Sequence, residues 1–513
     1  MKLIFEYEEN NSKHISCDTE NRVNNAICCN NNQSKNDNSK SHNSIDSGSE
    51  EARDGYEIPV DLLRKELPLP NVSELTVVRH YTNMSQLNFG VDLGFYPLGS
   101  CTMKYNPKVN EDIASLNGFE NLHPFSHEEY IQGSLQLMWE LEQDLKELTG
   151  MDAFSFQPAA GAQAELLGTM ITKAYFNQRN QKPRTKVIIP DSAHGTNPAT
   201  ASMCKFETIT IPSDSRGNMD INSFQESLTQ DVALVMLTNP NTLGLFEEKI
   251  LDISDLAHKN GTLMYCDGAN MNAMMGITRP SDQGFDFIHL NLHKTFSTPH
   301  GGGGPGAGVL GVRAFLEDYL PVPRVVKRGY KYALDYSQGK SVGSIRYCYG
   351  NFGMLVRAYS YIKSLGSSLK TVSDNAILNA NYLLWLLKDE FLVPFDRTCA
   401  HEFVISSKGL GERSALDIAK RLLDYGFHPP TIYFPLTVKE ALMIEPTETE
   451  SKETLDKFAW SLKKIAYELR EKPDFVRASP HTKSIGRLDE VSAARKPNLR
   501  WTPKVKTATG SNP

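Results

Sequence analysis

The stretch Asp286-Phe-Ile-His-Leu-Asn-Leu-His-Lys-Thr-Phe-Ser297 decides how this chain is read. It is an alternating apolar run that ends in His293-Lys294-Thr295. Asp267, 27 residues before Lys294, closes another apolar run, Leu263-Met-Tyr-Cys-Asp-Gly268. A single lysine after a strand is ordinarily a solvated surface residue. A lysine and an aspartate that each close a buried strand of one sheet are what pyridoxal phosphate (PLP) requires. The amine carries the cofactor aldehyde as a Schiff base, and the carboxylate keeps the pyridine nitrogen protonated so that the ring accepts electrons.

Working outward, short apolar runs alternate with helical patterns. A helix is expected over His127–Leu148, with Leu135, Met138, Leu141, Leu145 and Leu148 on one face. A second starts at Gly161 and places Ala164, Leu167, Ile171, Ala174 and Tyr175 together. Strands are expected at Lys186–Ile189, Ala233–Thr238, Leu263–Cys266, Phe287–Leu290 and Gly308–Val312, and a short helix, Ser254–Lys259, stops at Asn260-Gly261. Such alternation implies an α/β fold with a mainly parallel sheet and helices on both faces. Ligands on these sheets sit at the carboxyl ends of the strands, where Asp267 and Lys294 fall. Beyond about residue 345 the pattern becomes helical (Met354–Leu369, Asn375–Glu390), then strand-like at Glu402–Ser406, then helical again at Ser414–Tyr425 and Thr449–Leu469. That is the composition of a smaller second α/β domain. The expected organisation is an Asn/Ser-rich insertion (1–55), an arm and connecting helix (56–140), a large domain (141–345), a small domain (346–500) and a tail (501–513).

Composition sets outer limits. The 513 residues are 40% hydrophobic and 22% charged, with a net charge of −7 and pI near 6.0, as in ordinary globular chains. No Lys/Arg stripe suggests nucleic acid. No apolar run approaches the roughly 18 residues that span a bilayer, and the N-terminus has no signal-peptide pattern, so a cytoplasmic protein is expected. Of residues 10–43, 11 are Asn; a segment this polar buries too little apolar surface to offset its ordering entropy, and about residues 9–53 are expected to be disordered. The eight cysteines form no C-x-x-C pair, so neither zinc nor a disulfide framework is indicated. The segment from Tyr56 to about Asn121 has little periodicity and reads as an extended arm that wraps a neighbouring subunit.

Further strings bear on chemistry. Gln157-Pro-Ala-Ala-Gly-Ala-Gln163 runs straight into a helix, and its small residues let free N–H groups approach a phosphate. His194, in Ser192-Ala-His-Gly-Thr-Asn-Pro198, follows a strand, where an imidazole can lie on a cofactor ring or relay protons; a lone loop histidine is more often structural. Asn241, in Asn239-Pro-Asn-Thr-Leu-Gly244, is placed to reach the cofactor's phenolic oxygen, and an Asn-Pro turn explains the same string equally well. The run His300-Gly-Gly-Gly-Gly-Pro-Gly-Ala-Gly308 contains G-x-G-x-x-G, but it precedes a strand instead of opening a helix. It reads as a pliant backbone beside the lysine rather than a dinucleotide site.

Taken together, Tyr96-Pro-Leu-Gly-Ser-Cys-Thr-Met-Lys-Tyr-Asn-Pro107, Asp191-Ser-Ala-His-Gly-Thr-Asn-Pro-Ala199, Thr238-Asn-Pro-Asn-Thr-Leu-Gly244, Tyr265-Cys-Asp-Gly-Ala-Asn270, Asn291-Leu-His-Lys-Thr-Phe296 and Pro299-His-Gly-Gly-Gly-Gly-Pro-Gly306 closely resemble the glycine cleavage system P-protein family. The resemblance runs from about residue 56 to Trp501. It is to the carboxyl-terminal half of a fused P-protein, equivalent to subunit 2 of the split bacterial form. It implies fold type I of PLP enzymes, with the cofactor on Lys294, Asp267 at the pyridine nitrogen, His194 stacked on the ring and Gly161, Ala162 and Gln163 at the phosphate. Asn241, Ala269, His293 and Thr295 are further implied contacts. The implied activity is decarboxylation of glycine with transfer of the aminomethyl group to the lipoyl arm of the H-protein, with His194 and the Tyr96–Tyr105 loop as candidate proton donors. The implied partners are a subunit 1, two copies of each subunit assembling together, and the lipoylated H-protein. The Asn-rich insertion and the carboxyl-terminal tail depart from the family pattern. Two other readings stand beside this one: an aminotransferase or cysteine desulfurase of the same fold, and a non-catalytic subunit that keeps the fold.

Overall fold

The computed structural model describes residues 60–62, 72–179, 183–300 and 306–500. The segment expected to be disordered, the tail from Trp501 and most of the glycine run lie outside the described residues. The chain divides into two compact units between Phe89 and Gly90. In the first, a helix spans Glu74–Ser85, started by Ser73, whose hydroxyl accepts the Thr76 N–H. The sequence carried no signal for it because it has no buried stripe: His80 is its one buried side chain, and Leu75 and Val78 are exposed.

The second unit is built on a seven-stranded sheet. Its strands are β1 (Ala153–Ser155), β2 (Lys186–Pro190), β3 (Glu207–Ile211), β4 (Val232–Thr238), β5 (Leu263–Asp267), β6 (Phe287–Asn291) and β7 (Gly308–Val312), in the order β1-β7-β6-β5-β4-β2-β3. From β6 through β5, β4, β2 and β3 every pairing is parallel; β7 is antiparallel to both β6 and β1. The inner strands are buried on both faces, so their residues divide between two apolar layers. Met264, Cys266, Ile288 and Leu290 pack on one side, and Leu263, Tyr265, Phe287 and Leu310 on the other. The Gly161–Asn177 helix lies flush on that second side: a Cβ at Gly168 would stand 2.4 Å from the Tyr265 ring. On the first side, the Gln132–Thr149 helix buries Leu135, Met138, Leu141 and Leu145 and ends at Gly150 with φ +72°. Two strands of this sheet were not anticipated. β1 is only three residues long, and β3, Glu-Thr-Ile-Thr-Ile, is a half-exposed edge strand without a continuous apolar run.

β8 (Arg324–Arg328) and β9 (Lys331–Asp335) form a hairpin that leads out of this layer. The helices Phe352–Leu365 and Leu369–Leu387 follow, separated at Gly366 with φ +50°. Where one strand was expected there are three: β10 (Phe403–Ser406), β11 (Thr431–Ile432) and β12 (Ala441–Ile444), antiparallel in the order β10-β12-β11. Helices Ser414–Leu422 and Lys452–Glu471 cover this sheet with Ile418, Leu422, Phe458 and Leu462. Among the described residues no helix is long and apolar enough to cross a membrane.

Candidate active site

Three adjacent parallel strands end at one cleft. Thr238, Asp267 and Asn291 are the last residues of β4, β5 and β6, and all three line it. Lys294 enters three residues beyond β6, where its backbone N–H donates to the Asn291 carbonyl. The opposite wall is formed by Ser100, His401 and Glu402. The lysine spans the gap, its Nζ donating to the Ser100 carbonyl at 2.6 Å.

Asp267 is buried at the floor, yet its surroundings favour charge. Burial opposes ionisation; His289 and Lys294 nearby, the Ala269 N–H and the Asn197 amide together hold its pKa below the usual value. His289 pairs with Asp267 across β5 and β6, and its Nε2 lies 3.3 Å from Asp267 Oδ1. The Tyr265 hydroxyl, 3.0 Å from His289 Nδ1, can donate there and leave the ring proton on Nε2, facing the aspartate. Burial keeps His289 neutral.

Glu165, on the Gly161–Asn177 helix, completes the floor. Burial and the neighbouring Asp267 raise its pKa to about 8, so near neutral pH it holds a proton. Its Oε2 accepts from Asn197 Nδ2 at 2.8 Å, and its Oε1 lies 2.8 Å from Thr196 Oγ1. Thr196 Oγ1 in turn lies 2.9 Å from His194 Nδ1, which also accepts the Thr196 N–H. The Thr196 hydroxyl thus links Glu165 to His194, whose Nδ1 accepts the Thr196 N–H and so leaves the proton of the neutral ring on Nε2. The outer edge of His194 is open to solvent.

The Gly161–Asn177 helix points its N-terminus into the cleft with Gly161 and Ala162 at the lining. Ala160, at the cap position, offers no side-chain acceptor. A Cβ at Gly161 would stand 2.4 Å from Asn291 Oδ1, and one at Gly308 would stand 2.3 Å from the Ala160 carbonyl, so only glycine lets these backbones meet.

Residues 98–105 run along the small sheet and close the wall. Gly99 N–H donates to the Met443 carbonyl, Ser100 N–H to Glu402 Oε2 at 2.7 Å, and Thr102 N–H and hydroxyl to Glu445. Lys104, fully buried, is held by Glu448 at 2.8 Å and Tyr361 at 3.1 Å. Ser100 and Thr102 adopt φ of +67° and +47°, a left-handed conformation kept up by these bonds.

Of the residues singled out in the sequence, Lys294, Asp267, His194, Gly161, Ala162 and Ala269 line the cleft. Gln163, Asn241, His293 and Thr295 do not. Gln163 accepts the Ala159 N–H and so shapes the turn before its own helix. Asn241 spends its amide on backbone, accepting from the Leu243 and Leu245 N–H groups of its own turn and donating to the distant Gly217 carbonyl. Thr295 accepts the Met271 N–H. The His293 ring packs beside His300, and burial lowers its pKa to about 4. Glu165, His289, His401 and Glu402 were missed. The signal for the first two was a polar residue inside a buried apolar run; for the wall pair no local signal exists.

Residues 160–325 match the aminotransferase class-V family, and residues 372–480 match the glycine dehydrogenase C-terminal domain family. Among solved structures, the glycine decarboxylase (P-protein) of the glycine cleavage system in inhibitor-bound form superposes with a TM-score of 0.66 at 20% identity, over 80% of this chain and 93% of that one. A cysteine desulfurase from Thermococcus onnurineus superposes with a TM-score of 0.57 at 16% identity, over 75% and 98%. At these identities the likeness establishes the fold, fold type I of the PLP-dependent enzymes. Closer in sequence are two proteins named "Probable glycine dehydrogenase (decarboxylating) subunit 2". That of Desulforamulus reducens is 58% identical over 87% of this chain and 93% of its own length. That of Caldanaerobacter subterraneus is 59% identical over 87% and 93%. The chain belongs to the glycine dehydrogenase (decarboxylating) subunit 2 family.

Proposed function

We propose that this chain is the PLP-bearing subunit of a glycine decarboxylase. It removes CO2 from glycine and passes the aminomethyl group to the lipoyl arm of an H-protein, in the cytoplasm and in assembly with a subunit 1. The observation that carries the reading is Lys294 and Asp267 in the lining of one cleft, with an uncapped helix N-terminus beside them. The residues suit the cofactor. Lys294 supplies the amine, Asp267 the charged acceptor, and the Gly161 and Ala162 N–H groups an anion seat that no side chain fills. Asn291 Oδ1, buried in the lining without a hydrogen-bond partner among the described residues, marks a polar position awaiting a ligand.

When bound, PLP withdraws electrons from the amino acid's α-carbon and so lets the carboxyl group leave as CO2. Asp267 stays ionised through that step because Asn197, Ala269 and His289 fix it without solvent. His194 can give its Nε2–H to a group in the cleft while a proton passed from Glu165 through Thr196 to Nδ1 keeps the ring neutral. Transfer of the aminomethyl group opens the lipoyl disulfide and leaves a thiolate that needs one proton, and this chain can deliver it.

The test is reconstitution with subunit 1 and lipoylated H-protein. Glycine should release CO2 only when the lipoyl carrier is present, whereas a desulfurase would act on cysteine and a scaffold on neither. Lys294→Ala should abolish both CO2 release and the pyridoxyl label that borohydride fixes. A variant that keeps the label removes Lys294 from its place.

A further inference from the structure

The wall facing Lys294 holds a buried histidine with nothing to bind. His401 is 2% exposed, lines the cleft, and neither ring nitrogen has a hydrogen-bond partner among the described residues. Buried polar groups are rarely left without a partner unless a ligand completes them. The side chain is not loosely placed. Gly244, with φ +78°, packs so closely that a Cβ there would stand 1.9 Å from the Glu402 carbonyl, and its own carbonyl accepts the Ala400 N–H at 2.7 Å. The turn braced by Asn241 thus fixes the 400–402 backbone from the large-sheet side, and Ser100 fixes the Glu402 carboxyl from the other.

We infer that His401, backed by Glu402, is the seat of the substrate's carboxyl group, taking a small amino acid whose amine lies at Lys294. His401 Nε2 is 3.7 Å from Glu402 Oε1, so the carboxyl group of Glu402 is the neighbour that can satisfy it and leave Nδ1–H to donate to the ligand. The charges facing this spot fit an anion. Lys294 is the cation at the cleft, and Glu445 is saturated by Thr102, Asn270 and Asn272, which leaves it little capacity to cage a metal ion. Burial drives the pKa of His401 down to about 3, so the ring is a neutral donor. Burial and Glu445 raise that of Glu402 to about 8, so it does not repel a carboxylate near neutral pH. A neutral donor also suits a reaction that discharges this group as uncharged CO2. A strong cationic clamp would stabilise the ground state most and be lost as the bond breaks.

This inference rests on the functional reading above. The complete complex with cofactor and partner subunit is titrated with glycine and with methylamine, which lacks the carboxyl group, and binding is followed by the cofactor's absorbance. His401→Phe removes the donor; His401→Asn keeps one near the Nδ1 position. Glycine binding should weaken roughly 10- to 150-fold in His401→Phe, the range for a hydrogen bond to a charged group, with methylamine unchanged. His401→Asn should recover most of the loss. Unchanged glycine binding in His401→Phe overturns the proposal, and so does equal weakening of both ligands in both variants, which would make His401 a packing residue. Absence of CO2 release from glycine by the wild-type complex supplied with lipoylated H-protein overturns the functional reading, and it shows in the control before any His401 comparison.

Discussion

The cleft has two polar sides built from the same ingredients and left in opposite states. Its floor holds two carboxyl groups and a histidine, Asp267, Glu165 and His289; its wall holds Glu402, Glu445 and His401. On the floor the carboxyl groups are joined through Asn197, and His289 lies between Tyr265 and Asp267. At the wall the carboxyl groups are braced by the 98–105 segment, but the imidazole is bare. A preassembled network suits a permanent occupant whose electronic state must not vary. An open donor in a rigid frame suits a group that arrives and leaves.

The comparison breaks first at Asp267. Asp267→Asn removes the charge while keeping the shape, so the Lys294 adduct should still form. The rate of CO2 release should drop roughly 10²- to 10³-fold, the scale of removing a preorganised electrostatic partner. The expected signature is a fall in kcat with little change in KM for glycine, the reverse of the His401 pattern. Parallel changes in the two variants would dissolve the distinction between floor and wall.

How much of this was legible follows from where the contacts lie along the chain. Lys294 and Asp267 announce themselves because each closes an apolar strand, and parallel pairing brings strand ends together without long-range information. His289 stood in the opening string as a polar residue of a buried strand, and Glu165 as an acid inside an apolar helix; either could have been flagged on that ground. The wall was illegible. Glu402 reads locally as the polar first residue of a strand, and its neighbours, Ser100 and Glu445, lie far away in sequence. Asn241, which does not line the cleft, is a different case. An Asn-Pro turn and a ligand contact look identical in sequence, and only the bonds to Leu243, Leu245 and Gly217 separate them.

The wall can be tested without ligand through stability. Glu402 has its pKa raised from 4.5 to about 8 by burial and Glu445. The folded state therefore keeps a proton that the unfolded chain has lost over that interval. Its contribution is fully present below about pH 4.5 and disappears as pH rises through about 8. Glu402→Gln removes the titration and retains the acceptor for the Ser100 N–H. Denaturant midpoints of variant and wild type should diverge in favour of the variant as pH climbs across this range, by on the order of a few kcal/mol. A constant difference would mean that Glu402 is ionised in the folded protein.

The smallest effect is expected where the network is densest. Thr196→Val deletes the hydroxyl between Glu165 and His194 and nearly preserves volume. His194 keeps the Thr196 backbone N–H on Nδ1, and Glu165 keeps Asn197. The loss should be that of one ordinary hydrogen bond, about 0.5–1.5 kcal/mol or roughly two- to tenfold in aminomethyl transfer to the lipoyl carrier. CO2 release should fall by the same factor, one CO2 being formed per aminomethyl group transferred, while glycine binding is spared because Lys294 and Asp267 do not depend on that hydroxyl. Nitrogen-15 spectra of the imidazole supply the second readout: the Nε2–H tautomer of His194 should persist but exchange faster. A drop as large as that of Asp267→Asn would make the Glu165–Thr196–His194 chain the sole proton route. The floor would then be as dependent on one link as the wall is on His401.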